Sequence, residues 1–151
     1  MENETVIFNQ AAIGYSQRIP ALRDVNLRLH TSAIYGLFGE NGSGKTTLLN
    51  TITGGIPTLA GSLTVEGFAM PCRDPGLLSG LFYVPQYPRT AALTPTAMAE
   101  CYGPLYPRFS HEQFADNIKL LGVDTHRKMT KMSPGEIKKA LLALAFATGC
   151  S

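Results

Sequence analysis

Residues Gly36 to Asn50 read GLFGENGSGKTTLLN. Glycines at positions 39, 42 and 44 precede one lysine, Lys45, and two threonines, Thr46 and Thr47. Gly39, Gly44, Lys45 and Thr46 fill every fixed position of the pattern G-x-x-x-x-G-K-[ST], with Glu40, Asn41, Gly42 and Ser43 between them. The chemistry of that pattern is anion capture. Glycines allow positive φ and bring backbone N–H groups close to a phosphate. A helix that starts at the lysine adds the positive end of its dipole at the same point. Lys45 would then reach the β- and γ-phosphates of a nucleotide, and the Thr46 hydroxyl would coordinate Mg²⁺.

Two other stretches carry polar groups at informative places. In YVPQYP, Gln86 follows an apolar run, Gly80 to Val84, that stops at Pro85. A glutamine just past the C-terminal end of a buried strand could offer its amide to a metal or a water. In MSPGEIKKALLALAFA, Ser133 suits a helix N-cap and Pro134 the first helical position. Glu136 completes an S-x-x-E capping box.

The elements that must position these groups are legible in outline. Ala33 to Phe38 reads as a short apolar strand leading into the glycine loop. Lys45 to Thr53 reads as a helix with Leu48, Leu49 and Ile52 on one side. Thr5 to Phe8, Asp24 to Leu29 and Ser62 to Val65 read as strands; the second alternates Val25, Leu27 and Leu29 with polar residues, as a half-buried antiparallel strand does. Gly80 to Val84 reads as a strand buried on both faces, a parallel neighbour of the strand before the loop. Thr96 to Tyr102, His111 to Leu121 and Pro134 to Ala147 read as helices, the last apolar nearly all round and so destined for a core. The order predicts an α/β fold with an antiparallel β start (1–93, including the loop), a helical insertion (94–132) and a final helix (133–151).

Composition bounds the function classes. The chain has 151 residues, room for one domain, and 44% hydrophobic against 16% charged residues predicts a packed core. The formal net charge of +2 is too small to argue for nucleic acid. The cluster Arg127, Lys128, Lys131, Lys138 and Lys139 reads as a solvated face. Cys72, Cys101 and Cys150 lie far apart, which fits a reducing cytoplasm better than a disulfide framework or zinc site. The start, MENETV, lacks the basic and apolar segments of a secretory signal. The longest apolar run, Ala140 to Ala147, is too short to span a bilayer. His30, His111 and His126 stand in no motif and read as surface histidines.

Taken together, these stretches resemble the nucleotide-binding domain of the ABC ATPases. Gly39 to Thr46 matches the family's Walker A motif, Gln86 falls at its Q-loop glutamine, and Met132 to Glu136 is similar to its signature motif, L-S-G-G-Q. Tyr15, in IGYSQRIPALRDVNL, matches the A-loop aromatic that stacks on adenine. Leu105 to Glu136 further resembles the ABC-2 type exporters. The resemblance implies a P-loop core of ABC type and ATP with Mg²⁺ as ligands. Tyr15 and Gly39 through Thr47 would hold the nucleotide, and Thr46 and Gln86 would serve the metal. Ser133, Gly135 and Glu136 would face the γ-phosphate held by the other subunit of a head-to-tail dimer. It also implies a membrane permease partner, a cytoplasmic place at the inner face of the membrane through that partner, and transport, with export the expected direction.

This sequence departs from the family's pattern in two ways. Pro134 and Glu136 replace the first glycine and the glutamine of the signature. Pro134 removes one N–H, and Glu136 brings a negative charge toward an anion unless the capping box turns it back. The sequence reaches Ser151 without a Walker B strand, catalytic glutamate or switch histidine. These residues alone are therefore expected to bind nucleotide without turning it over, as a partial domain; Glu40 and Asp74 are the nearest carboxylates by sequence that could stand in for the base. The alternatives are a non-hydrolysing nucleotide-binding module and a non-transport ABC ATPase acting on DNA or ribosomes. The lack of an N-K-x-D motif argues against a small GTPase.

Overall fold

A computed structural model describes residues 4–88 and 92–150. It divides into two compact units, one ending at Leu77 and one beginning at Leu78.

The first unit is built on a four-stranded antiparallel sheet in the order β2-β1-β3-β4, with β1 at Glu4–Ile13, β2 at Leu22–His30, β3 at Thr58–Val65 and β4 at Phe68–Ala69. Helix α1, Lys45–Ile52, packs on β1 and β3. Val6 and Phe8 of β1 face the core, and so do Ala11 and Ile13. Strict alternation would send those two pairs to opposite faces. One extra residue around Gln10, which has φ 46°, shifts the register between Phe8 and Ala11 and returns Ala11 and Ile13 to the buried side. The Asn26 side chain accepts the Gln10 N–H at 3.0 Å. On the other side Gly61 closes against the bulge with φ 69°; a Cβ there would lie 2.3 Å from the Gln10 carbonyl oxygen. Leu63 and Val65 of β3, with Leu48 and Thr51 of α1, complete this core.

The second unit is helical: α3 at Pro95–Tyr102, α4 at His111–Leu120 and α5 at Pro134–Ala147, with 3₁₀ turns at Gly103–Leu105 and Met129–Lys131. The short helix α2, Pro75–Leu78, lies where the two units join in sequence. Thr94 caps α3 by accepting from the Ala97 N–H, and Ser110 caps α4 by accepting from the Gln113 N–H. Met98, Phe114, Ile118, Val123, Met129, Met132 and Leu144 form the core around Ala140, Ala143 and Ala147. The Ser110 N–H donates to the Ala147 carbonyl at 2.9 Å and ties the start of α4 to the end of α5.

Helix α5 starts and ends where its sequence predicts. Its buried face is narrower than the apolar sequence implies: Phe146 is 64% exposed and Leu142 is 39% exposed, while small alanines fill the contact with α4. The capping box is formed. Ser133 Oγ accepts the Glu136 N–H at 3.3 Å, and Glu136 Oε2 accepts the Ser133 N–H at 2.8 Å. Arg127 pairs with the other carboxylate oxygen.

Two expected strands are not formed. Residues 33–38 and 80–84 join no ladder among the described residues. A strand exists only through its neighbours' N–H and C=O groups, and an apolar run does not supply them. Ile34 and Phe38 are consequently almost fully exposed, and the Tyr35 hydroxyl accepts the His30 N–H at 2.9 Å. In the second segment the Leu81 N–H donates to Leu78, the Leu81 carbonyl accepts from the Tyr106 hydroxyl, and the Phe82 ring sits 5.6 Å from that of Tyr106. The expected parallel pairing of 80–84 with 33–38 is likewise not formed.

Two outcomes follow for stability. Leu144→Ala should cost about 2–5 kcal/mol in denaturant unfolding, as a fully buried leucine does, whereas Leu120→Ala, 83% exposed, should stay within about 0.5 kcal/mol. Glu136 has its pKa lowered, first by the Ser133 backbone N–H and further by Arg127. A carboxylate lowered on folding contributes stability above its unfolded pKa and loses it as pH falls through the folded value. The stability difference between wild type and Glu136→Gln should therefore be full at neutral pH and vanish below the usual carboxylate range. A difference that persists in acid would exclude the cap as its source.

Candidate functional site

The glycine loop lies in the first unit and passes directly into α1. Gly42 and Gly44 have φ 85° and 92°, and Gly44 is the N-cap residue in left-handed conformation. A Cβ on Gly44 would press within 2.9 Å of Leu22, so the position needs glycine for space as well as for φ. A glycine N-cap offers no side-chain acceptor, and the first turn of α1 holds no acid. The first-turn N–H groups, which have no intrahelical acceptor, are thus left to a ligand. Lys45 bends back over the loop. Its Nζ donates to the Gly39 carbonyl at 2.8 Å, the Glu40 carbonyl at 2.6 Å and Ser43 Oγ at 3.3 Å. All three partners are neutral oxygens. None of them carries a charge that would cancel that of the ammonium.

Thr46 is exposed and its hydroxyl makes no hydrogen bond among the described residues. Thr47 is buried; its carbonyl accepts the Thr51 hydroxyl at 2.9 Å, which fixes the middle of the helix. Glu40, Asn41, Gly42 and Ser43 are exposed around the turn, and the Ser43 N–H donates to the Glu40 carbonyl at 3.2 Å. Tyr15 leaves the end of β1 and is 71% exposed. Its hydroxyl accepts from Asn50 Nδ2 of α1 at 3.1 Å. The fold therefore brings Tyr15 to the helix whose first residue is Lys45. Asn50 was missed from sequence, because a polar residue on a helix surface carries no signal of its own.

Gln86 and the residues at the start of α5 belong to the second unit. Gln86 is exposed, with its amide 3.5 Å from the Tyr87 hydroxyl. Ser133, Pro134 and Gly135 are exposed at the start of α5, and a Cβ on Gly135 would meet open space. Glu136 is turned back onto Ser133 and Arg127 as described above. Arg127, read from sequence as part of a solvated basic face, is instead partly buried and paired with Glu136; its partner lies nine residues on, across an irregular segment with no periodicity to signal the contact. Of the two stand-in carboxylates, Asp74 is engaged at the start of α2, where Oδ1 accepts the Gly76 N–H at 2.8 Å; Glu40 is exposed in the loop. His111 and His126 are exposed and His30 is partly buried. Among the described residues no group of three His, Cys, Asp or Glu side chains could hold a metal, and no helix is long and apolar enough to cross a membrane.

The sequence model of the family described as "ABC transporter" matches residues 22–151. A putative ABC transporter ATP-binding protein, AlbC of Bacillus subtilis (strain 168), is 29% identical over 143 residues, which is 89% of this chain and 60% of that protein. A zinc import ATP-binding protein, ZnuC of Jannaschia sp. (strain CCS1), is 34% identical over 126 residues, 82% of this chain and 47% of that protein. The chain spans about half the length of the curated relatives it matches. A solved ATP-binding subunit of an ABC transporter superposes with a TM-score of 0.79 at 18% identity, covering 95% of this chain and 62% of that one. A bacterial Atm1-family ABC exporter with ATP bound gives 0.78 at 17% identity, over 99% of this chain and 28% of that one. At those identities the likeness establishes the fold. With the sequence match running from β2 to the last residue, the chain belongs to the ABC transporter family, among its nucleotide-binding domains.

Proposed function

We propose that this chain binds MgATP as the nucleotide-binding component of an ABC transporter. The observation that carries the reading is the Lys45 ammonium, held by neutral oxygens beside a helix start that has neither side-chain cap nor acid. Backbone N–H groups of Gly39 through Thr47 and the Lys45 charge would surround the phosphates, with the Tyr15 ring against the adenine. A single free hydroxyl, Thr46, is a poor cage for a divalent cation, but Mg²⁺ favours substrate phosphates and water as its other ligands. The residues thus fit a metal that arrives with the nucleotide, and Gln86 is the second ligand in this reading. The bound cation would supply neutralisation of the phosphate charge.

Ser133, Gly135 and Glu136 face a second subunit in a head-to-tail dimer, and a membrane permease is the transport partner at the inner face of the membrane. Residues 94–132 act as the helical insertion that leads into the signature helix, 133–151. Hydrolysis belongs to a domain that includes the family's Walker B strand and glutamate. The resemblance of Leu105 to Glu136 to ABC-2 type exporters supports export. Import is the second reading, favoured by relatives named as zinc import ATP-binding proteins, two of which are 30% identical over 93% of this chain.

Lys45→Ala should abolish Mg²⁺-dependent ATP binding in calorimetry, and undiminished affinity in a folded variant would overturn the phosphate-site reading. Tyr15→Ala should weaken ATP by about 1–3 kcal/mol, the range for base–aromatic stacking, with tripolyphosphate affinity unchanged. Ser133→Arg should leave ATP binding intact and block MgATP-dependent dimers in light scattering of the complete polypeptide. Normal dimers would reduce the Met132 to Glu136 stretch to a helix cap.

A further inference from the structure

We infer that Arg127 is a positioning residue of the signature loop: it takes up the charge of Glu136, so that Ser133 and the Gly135 N–H can meet a nucleotide phosphate presented by a second copy of the chain. This rests on the head-to-tail reading above and assigns a role to a residue outside the motif.

The problem it solves is local. Pro134 has no N–H, so fewer donors remain at the start of α5, and Glu136 places a carboxylate within one helical turn of them. An unneutralised carboxylate there would repel a triphosphate. Both of its oxygens are instead engaged. Oε2 accepts the Ser133 N–H at 2.8 Å, and Oε1 is paired with the Arg127 guanidinium. Ser133 Oγ accepts from the Glu136 N–H, and a hydroxyl used as acceptor still has its own proton to donate outward. Lys128, Lys131, Lys138 and Lys139 are all exposed, yet none forms an ion pair with Glu136 among the described residues. Arg127 is the cation that does. Its side chain is partly buried and its Nε is enclosed without an acceptor, so the guanidinium is held at the loop rather than extended into solvent. Glu136 is thus drawn back onto its own helix, while Ser133 and Gly135 stay exposed.

A structural ion pair and a charge-cancelling one give different results in a double-mutant cycle on the complete polypeptide, read as MgATP-dependent dimerisation by light scattering. Glu136→Gln and Arg127→Gln lose the same pair, so any purely structural loss is common to both. Only Arg127→Gln leaves a bare carboxylate. It should raise the MgATP needed for half-maximal dimerisation roughly tenfold, the scale of one uncompensated charge near a protein surface. In the Glu136→Gln background, whatever dimerisation that variant shows, adding Arg127→Gln should cause no further loss, and Arg127→Lys in the wild-type background should hold. Wild-type dimerisation by Arg127→Gln, or a double variant weaker than Glu136→Gln alone, overturns the inference and leaves the head-to-tail reading standing. Failure of the wild type itself to dimerise overturns both. Should Arg127→Gln not fold, the Glu136→Gln background decides: adding Arg127→Gln there should change nothing, and a loss of dimers overturns the inference.

Discussion

The first unit is organised around one unbalanced charge. Lys45 sits at the start of a helix, where a cation meets the positive end of the dipole and is unfavourable. Two carbonyls and one hydroxyl solvate it, and no carboxylate forms an ion pair with it among the described residues. A loop that turns its own carbonyls toward an ammonium needs unusual backbone angles, which the left-handed Gly42 and Gly44 supply. The helix must then be held at a fixed place, and the buried faces of β1 and β3 do this through Leu48 and Thr51. Sheet, loop and helix together hold a cation at a helix start without a balancing carboxylate, a charge that a bound anion would offset.

The start of α5 treats the opposite charge in the opposite way. Glu136 lies at a helix start, where a carboxylate is favoured, and it is satisfied twice over by Ser133 and Arg127. The departure from the family's glutamine therefore does not leave an exposed anion. Two helix starts in one chain thus carry contrasting devices. One is left open with a bound-back cation, and the other is capped and neutralised with its small residues exposed.

How much of this was legible in the sequence depends on whether a signal is local. Helix α5 is local: Ser133, Pro134 and Glu136 specify its start within four residues, and its observed limits agree with the reading. The glycine loop is local too. Strand β1 was read only as far as Phe8 because the extra residue near Gln10 breaks the alternation that marks a strand. Residues 33–38 and 80–84 carry a correct statement about hydrophobicity and an incorrect one about pairing, because a ladder depends on partners that no local pattern names. Arg127 and Asn50 act through one side chain each, across a turn or onto a loop, and neither contact has a sequence period. The family resemblance succeeded where the strand reading failed, because ordered motifs survive the absence of a neighbour and ladders do not.

The extra residue in β1 also sets constraints on how this sequence can change length. It works as a phase correction: side chains before it and after it are counted from different origins, and the loop bearing Tyr15 inherits the second origin. Regular pairing of every residue without the bulge would turn Ala11 and Ile13 outward, whereas a chain lacking Gln10 would alternate simply and keep both inward. Gly61 and Asn26, which fit the bulge from across the ladder, would lose that role. A one-residue deletion at the bulge should therefore preserve the buried face of β1 and free position 61 from its need for glycine, whereas a deletion elsewhere in the strand would invert part of that face.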